Sequence, residues 1–254
     1  MSDLQRISHQ DVKDYFKKYY SPSNLTAAIV GDVDPQEVFR LAELYFGRIP
    51  SGPRPEPLRT REPEQWGERK ATVRAQSQPV LIVGYHKPAA QHPDNGALDA
   101  LANIIGQGRS SRLWESLVKK EKVAAQVGCF NNFPGNKYPN LIAFFSMTSK
   151  DKTAAQSLEL IDREIEKIKK EPVSAQELAK YKQMSKKALI GQMKANGRMA
   201  AQLTYYDVVL GDWRLLFDEL AAIDRITAAD IQRVANAYLI ATNRTIGEIV
   251  PEQK

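Results

Sequence analysis

Cysteine and histidine are scarce in this sequence: 254 residues contain one cysteine, Cys129, and three histidines, His9, His86 and His92. A lone thiol excludes an internal disulfide. Cys129 lies in the apolar stretch VAAQVGCF with no histidine or carboxylate beside it, so it reads as a small buried hydrophobe and not as a nucleophile. No apolar run approaches the length of a membrane-spanning helix, and the opening MSDLQRISHQD has no apolar segment of the secretory type. No RNP, KH, helix-turn-helix or zinc-finger pattern accompanies the net charge of +6, so nucleic acid is not an expected partner. The lysines at 180, 182, 186, 187 and 194 read as the solvated face of a long helix.

What is present is ordinary globular composition, with 43% hydrophobic and 26% charged residues, arranged in clear segments. Ser8 with Asp11 signals a capped helix running to Tyr20, which SPSN ends. LTAAIVGD, with Leu25–Val30 at its centre, reads as a short buried strand. DPQEVFRLAELYFG carries a cap, a proline at the first helical position and a terminal glycine. Residues 51–69 hold prolines and charges without apolar periodicity and read as a linker.

Beyond the linker, RKATVRAQ and PVLIVGYHK read as strands. Two helices follow near Asn95–Ile105 and Ser111–Lys120, then strands VAAQVGCF and LIAFFSMT around the turn NNFPGNKYPN. In AAQSLELIDREIEKIKK, the residues Leu158, Ile161, Ile165 and Ile168 form one helix stripe. Ser174 and Glu177 open another helix. GDWRLLFDEL and ITAADIQRVANAYL are further helices, and RTIGEIV is a last strand. Short turns between successive strands predict mostly antiparallel pairing. Blocks of helices without strict alternation predict an α+β fold, a two-layer sandwich with helices covering one sheet face. Trp66, Trp114 and Trp213 are expected to be packing residues.

One phrase occurs twice. ISHQDVKDYFKKYYSPSNLT (Ile7–Thr26) aligns without a gap onto ITAADIQRVANAYLIATNRT (Ile226–Thr245) at an offset of 219 residues. Asp11 falls on Asp230, Tyr19 on Tyr238, Asn24 on Asn243 and Thr26 on Thr245. Residues 1–50 therefore read as the tail of one repeat, 51–69 as a linker and 70–254 as a complete second repeat.

The motifs YYSPSNLTAAIVGDVDP, LYFGRIP, EPEQWGERK, YHKPAAQHPDNGALDALANIIGQGRSSRLWESLV and GDWRLLFDELAAIDRITAADIQRVANAYL cover almost the whole chain. Their order and spacing resemble the second half of an M16 (pitrilysin/insulinase-like) zinc metallopeptidase. That resemblance implies the M16, LuxS/MPP-like fold and paired homologous domains that close around a peptide, the second without metal. It implies zinc in the parent protein and none in this chain. It further implies an N-terminal M16 domain and a peptide substrate as partners, and a homodimer or M16 heterodimer as assembly. The alternative function is a non-catalytic M16-like subunit that acts as scaffold for an active chain. Bacterial relatives are often exported to the periplasm; the cytoplasm is the alternative.

The family's metal motif, H-x-x-E-H on a helix, is absent here, and His86 and His92 stand in the proline-containing loop YHKPAAQHPD. The resemblance also implies an arginine and a tyrosine seven residues apart that hold the substrate. Their positions are occupied by Val118 and Ala125, which can neither carry charge nor donate a hydrogen bond. The loop GQGRSSRLW corresponds to one that faces the family's substrate chamber, which makes Gly106, Gly108, Arg109, Ser110 and Arg112 the chamber candidates. Ser110 is the expected cap of the helix that follows, and the Walker lysine spacing is absent from the loop.

Overall fold

The computed structural model describes residues 2–251. The helices are α1 Ser2–Arg6, α2 His9–Tyr19, α3 Pro35–Phe46, α4 Asn95–Gly106, α5 Ala154–Lys170, α6 Ala175–Met193, α7 Asn196–Tyr205, α8 Leu215–Arg225 and α9 Ala228–Tyr238. Among the described residues one sheet is formed by β1 Arg69–Ala75, β2 Val80–Lys87, β3 Ala124–Phe133, β4 Asn140–Thr148 and β5 Arg244–Pro251, in the order β1-β5-β2-β4-β3. Pairing is antiparallel except between β1 and β5, which run parallel. The fold is mixed α and β with helices on one sheet face, as expected.

Two features depart from the sequence reading. The short β1–β2 connection does not make a hairpin, because β5 lies between those strands. RKATVRA places charges along its length, which suits an exposed sheet edge, whereas TIGEIV is apolar enough for a position with two neighbours. The second departure is Leu25–Val30, which forms no strand. Leu25 is 67% exposed and Ile29 61%, and the backbone there is extended without a ladder partner. An isolated strand has nowhere to send its backbone hydrogen bonds, so sequence preference alone cannot make one.

Strand alternation separates the two sheet faces. Leu81, Val83 and Tyr85 of β2, with Ile142 and Phe144 of β4, are buried against the helices. There α4, α5 and α9 pack on the sheet, and α6 packs outside α4. The helix α4 is apolar nearly all round, with Leu98, Leu101 and Ile105 fully buried, as a central helix requires. The stripe on α5 is seen: Ile161, Ile165 and Ile168 are buried and Leu158 packs against the core. Ser174 forms the capping box with Glu177 on α6.

The end of α4 fixes the loop that follows. A Cβ on Gly106 would lie 2.3 Å from the Cβ of Cys129 and 2.4 Å from its backbone nitrogen, so only glycine allows helix and strand to approach this closely. Gly108 adopts φ +80° and turns the chain. Ser111, not Ser110, serves the next turn: its Oγ accepts from the Trp114 N–H at 3.4 Å and donates to the Gly108 carbonyl at 2.8 Å. Helical winding then continues as a π-helix over Trp114–Lys120. Arg112 reaches across to α6 and donates to both Glu177 oxygens, at 2.7 and 2.9 Å. That fork, together with the hydrogen bonds from Ser174, holds the Glu177 carboxyl down at about 2.

Two outcomes follow from these contacts. Gly106→Ala should force α4 away from β3 and destabilise the fold by about 3 kcal/mol, which lowers the thermal midpoint by roughly 6–12 °C for a chain of this size. Glu177→Gln should cost about 1–2 kcal/mol near neutral pH, after allowance for solvent screening. A depressed carboxyl stabilises above its ordinary value and loses that contribution as it protonates. The midpoints of variant and parent should therefore converge as pH falls from about 4.5 towards about 2.

Candidate functional site

The face of the sheet opposite the helices exposes apolar side chains. Ile82 of β2 lies opposite Phe145 of β4 and Gly247 of β5, and Phe145 in turn lies opposite Gly128 of β3. Phe130 stands beside Phe145 with ring centroids 6.2 Å apart. Ile82 is 43% exposed and Phe130 50%. The space over Gly84 is filled by Leu141, whose Cδ1 lies 3.0 Å from where a Cβ would sit, whereas a Cβ on Gly247 would meet only the Ile82 carbonyl oxygen, at 3.9 Å, which leaves relief there. Bulky apolar groups separated by glycines can receive the side chains of an extended peptide or a facing domain.

The polar border of this face comes from the linker. The Gln65 side-chain oxygen lies 3.2 Å from His86 Nε2 and accepts from the Thr245 hydroxyl at 3.3 Å. The His86 Nδ1 atom lies 3.6 Å from a Glu62 oxygen. His92 is engaged in its own loop, where its Nδ1 accepts from the Asp94 N–H at 3.2 Å. His9 stands in the first turn of α2. Among the described residues no group of three or more His, Cys, Asp or Glu side chains converges as metal ligands, so the residues present do not fit a zinc site. Burial raises the Cys129 thiol well above its ordinary value, which removes it as a nucleophile.

The loop candidates are placed individually. Gly106 is spent on the close approach to Cys129 and Gly108 on the turn. Arg109 lies over the Trp114 ring at 5.9 Å. The Ser110 hydroxyl accepts from Lys180 Nζ, and Arg112 is held by Glu177. Ser110 and Arg112 share a cleft of about 520 Å³ with Lys120, Arg163, Glu164 and Lys167, on the helical side of the molecule. Val118 packs against the core. Ala125 is exposed at a bulge of β3, between Ala124 and Gln126.

Several sequence expectations change with this placement. The α6 lysines are not a simple solvated face, since Lys182 donates to the Asp224 carbonyl and Lys186 to the Asp224 carboxylate. Trp114 packs, but Trp66 is 83% exposed and Trp213 40%.

One cluster escaped sequence reasoning. Lys87, only 4% exposed, donates to the side-chain oxygens of Asn95 on α4 at 2.7 Å and Asn132 on β3 at 2.8 Å. Asn131 donates to Asp99 at 2.5 Å. Burial pulls the Lys87 amine down to about 8 and pushes the Asp99 carboxyl up. This network anchors the β3–β4 hairpin to α4 beside a cavity of about 1000 Å³ lined by Asp99, Tyr181, Tyr205, Tyr206 and Glu219. The strand period held the signal: Leu81, Val83, Tyr85 and Lys87 fall on one face, so Lys87 had to point inward.

Comparison with known proteins agrees with this geometry. Residues 6–185 match the family model described as the peptidase M16 inactive domain. The zinc protease PqqE of Helicobacter pylori is 30% identical over 96% of this chain and 55% of its own length. The crystal structure of a protease from Helicobacter pylori superposes with a TM-score of 0.91 at 30% identity, covering 99% of this chain and 61% of that one. A peptidase M16 inactive domain from Pseudomonas fluorescens shares the fold, with a TM-score of 0.83 at 18% identity over 98% of this chain and 59% of that one. This chain thus spans little more than half the length of these relatives. The family match over residues 6–185 and the superposition at 30% identity lead to one conclusion: the chain belongs to the peptidase M16 inactive-domain family.

Proposed function

We propose that this chain forms the non-catalytic half of a zinc-dependent endopeptidase. Its open sheet face is one wall of a chamber that encloses a peptide, and a preceding N-terminal domain carries the H-x-x-E-H metal motif and the chemistry. The observation that carries this reading is the apolar face around the exposed Ile82 and Phe130; among the described residues no His, Cys, Asp or Glu side chains converge as metal ligands. The half-chain coverage of relatives named zinc proteases supports it. The work of this half is to orient the peptide and exclude water, which favours reaction by fixing geometry.

A second reading is favoured by Val118 and Ala125. With no charge or hydrogen-bond donor at those positions, the parent protein is a non-catalytic subunit that supports an active M16 chain.

Metal content separates the two readings. The enzyme reading expects one zinc in the intact gene product and none in residues 1–254 alone; no zinc in either favours the scaffold. In an active parent, Ile82→Asp should raise the KM for an apolar peptide about tenfold while zinc content stays constant. An unchanged KM would remove the sheet face from the chamber. Val118→Arg with Ala125→Tyr should raise turnover if the missing pair limits it, as measured by peptide hydrolysis.

A further inference from the structure

The cavity beside the Lys87 network has a lining that the chamber reading does not use. It measures about 1000 Å³ and lies among α4, α6, α8 and the end of α7. Two carboxylates from different helices line it, Asp99 of α4 and Glu219 of α8. Three phenols join them: Tyr181 of α6, Tyr205 at the end of α7, and Tyr206 at the start of the π-helical turn Tyr206–Leu210. Ile223 of α8 adds an apolar wall.

The polar groups of this lining are left open. One Asp99 oxygen accepts from Asn131 at 2.5 Å; among the described residues no donor reaches the other. Arg233 at the rim is spent on Asp94 at 2.7 Å, Arg225 stands at the far end of α8, and among the described residues no ion pair reaches Asp99 or Glu219. Lys87, whose charge is felt at Asp99, is fixed to Asn95 and Asn132. Burial raises both carboxyls, and repulsion from Asp99 raises Glu219 further. Tyr181 is 5% exposed and is the buried side chain of α6, yet its hydroxyl makes no hydrogen bond of normal geometry among the described residues. Tyr206, 7% exposed, stands beside Glu219. Buried phenols are normally paired. One that opens into a void beside uncompensated carboxylates marks room for a guest that brings donors and positive charge.

We propose that this cavity binds an organic cation with a short apolar stem, an alkylammonium or alkylguanidinium, whose charged head lies between Asp99 and Glu219 and whose stem lies against Tyr181, Tyr206 and Ile223. Carboxylates accept the N–H donors of such a head in charge-assisted hydrogen bonds, and phenol rings attract its charge. A metal ion is the wrong guest, because among the described residues no three carboxylate, thiol or imidazole groups converge and hard cations require six or more oxygens. Bound there, the cation ties α8 to α4. The site lies among the helices, apart from the open sheet face, and stands under either reading of the parent protein.

Calorimetric titration of the intact gene product with n-pentylamine tests this. Pentanol and pentanoate carry the same stem with a neutral or a negative head. Pentylamine should bind and raise the thermal midpoint; pentanol should bind at least about tenfold more weakly, and pentanoate should not bind. Glu219→Gln should weaken pentylamine about tenfold or more without lowering the midpoint of the ligand-free protein. Asp99→Asn, which keeps an acceptor for Asn131, should act in the same way. Acetyl-lysine amide that binds through its free side-chain amine as tightly as pentylamine would support the site with a peptide or domain side chain as its guest; pentylamine binding with that compound excluded would support a free small amine. Equal binding of amine and alcohol would overturn the proposal, as would pentylamine binding unchanged in both variants or no pentylamine binding. Displacement of pentylamine by calcium or magnesium would overturn it in favour of a metal site.

Discussion

The position of β5 is the constraint on which the remaining structure depends. It is the last strand in the chain and an interior strand of the sheet, with β1 on one side and β2 on the other. Until it arrives, β2 has an open edge and β1 has no neighbour. Closure thus joins residues near 70 to residues near 250, a long-range contact that is paid for in chain entropy before it is rewarded. Helix α9, immediately before β5, packs on α4 and α5, so its burial and the insertion of β5 occur as one unit. Asn243 locks that unit by bonding both the end of α9 and the backbone of β2.

The same unit at the N-terminus shows what is local and what is not. Capping box, helix, terminating turn and asparagine bond all form in the arm without a body to pack on, because each is satisfied within a few residues. The strand does not form, because a ladder needs neighbours that short-range interactions cannot supply. Two stretches of one chain with the same capping, terminating and apolar positions, one buried and one exposed, separate local conformational preference from tertiary stabilisation within a single molecule.

On the body, the helices cover one sheet face and leave the other apolar and open. A face of this kind offers shape and apolar area to an extended segment or a facing domain. Charged groups near the candidate loop are committed to internal partners: Arg112 to Glu177 and Lys180 to Ser110. What remains for recognition on this face is shape and apolar area.

The sequence by itself determined the local elements. The capping pairs Ser8/Asp11 and Ser174/Glu177, the stripe on α5 and the apolar run of β2 each carry short-range physics, and each formed where expected. Tertiary structure decided the rest. It inserted β5 between β1 and β2 and left Leu25–Val30 unpaired. It buried Lys87 in an amide cage and moved the helix-capping role from Ser110 to Ser111. It tied Lys182 and Lys186 to Asp224 and left Trp66 in solvent. Each of these depends on which distant surface is available to a segment, and that is fixed by closure of the sheet and not by any residue's neighbours in sequence.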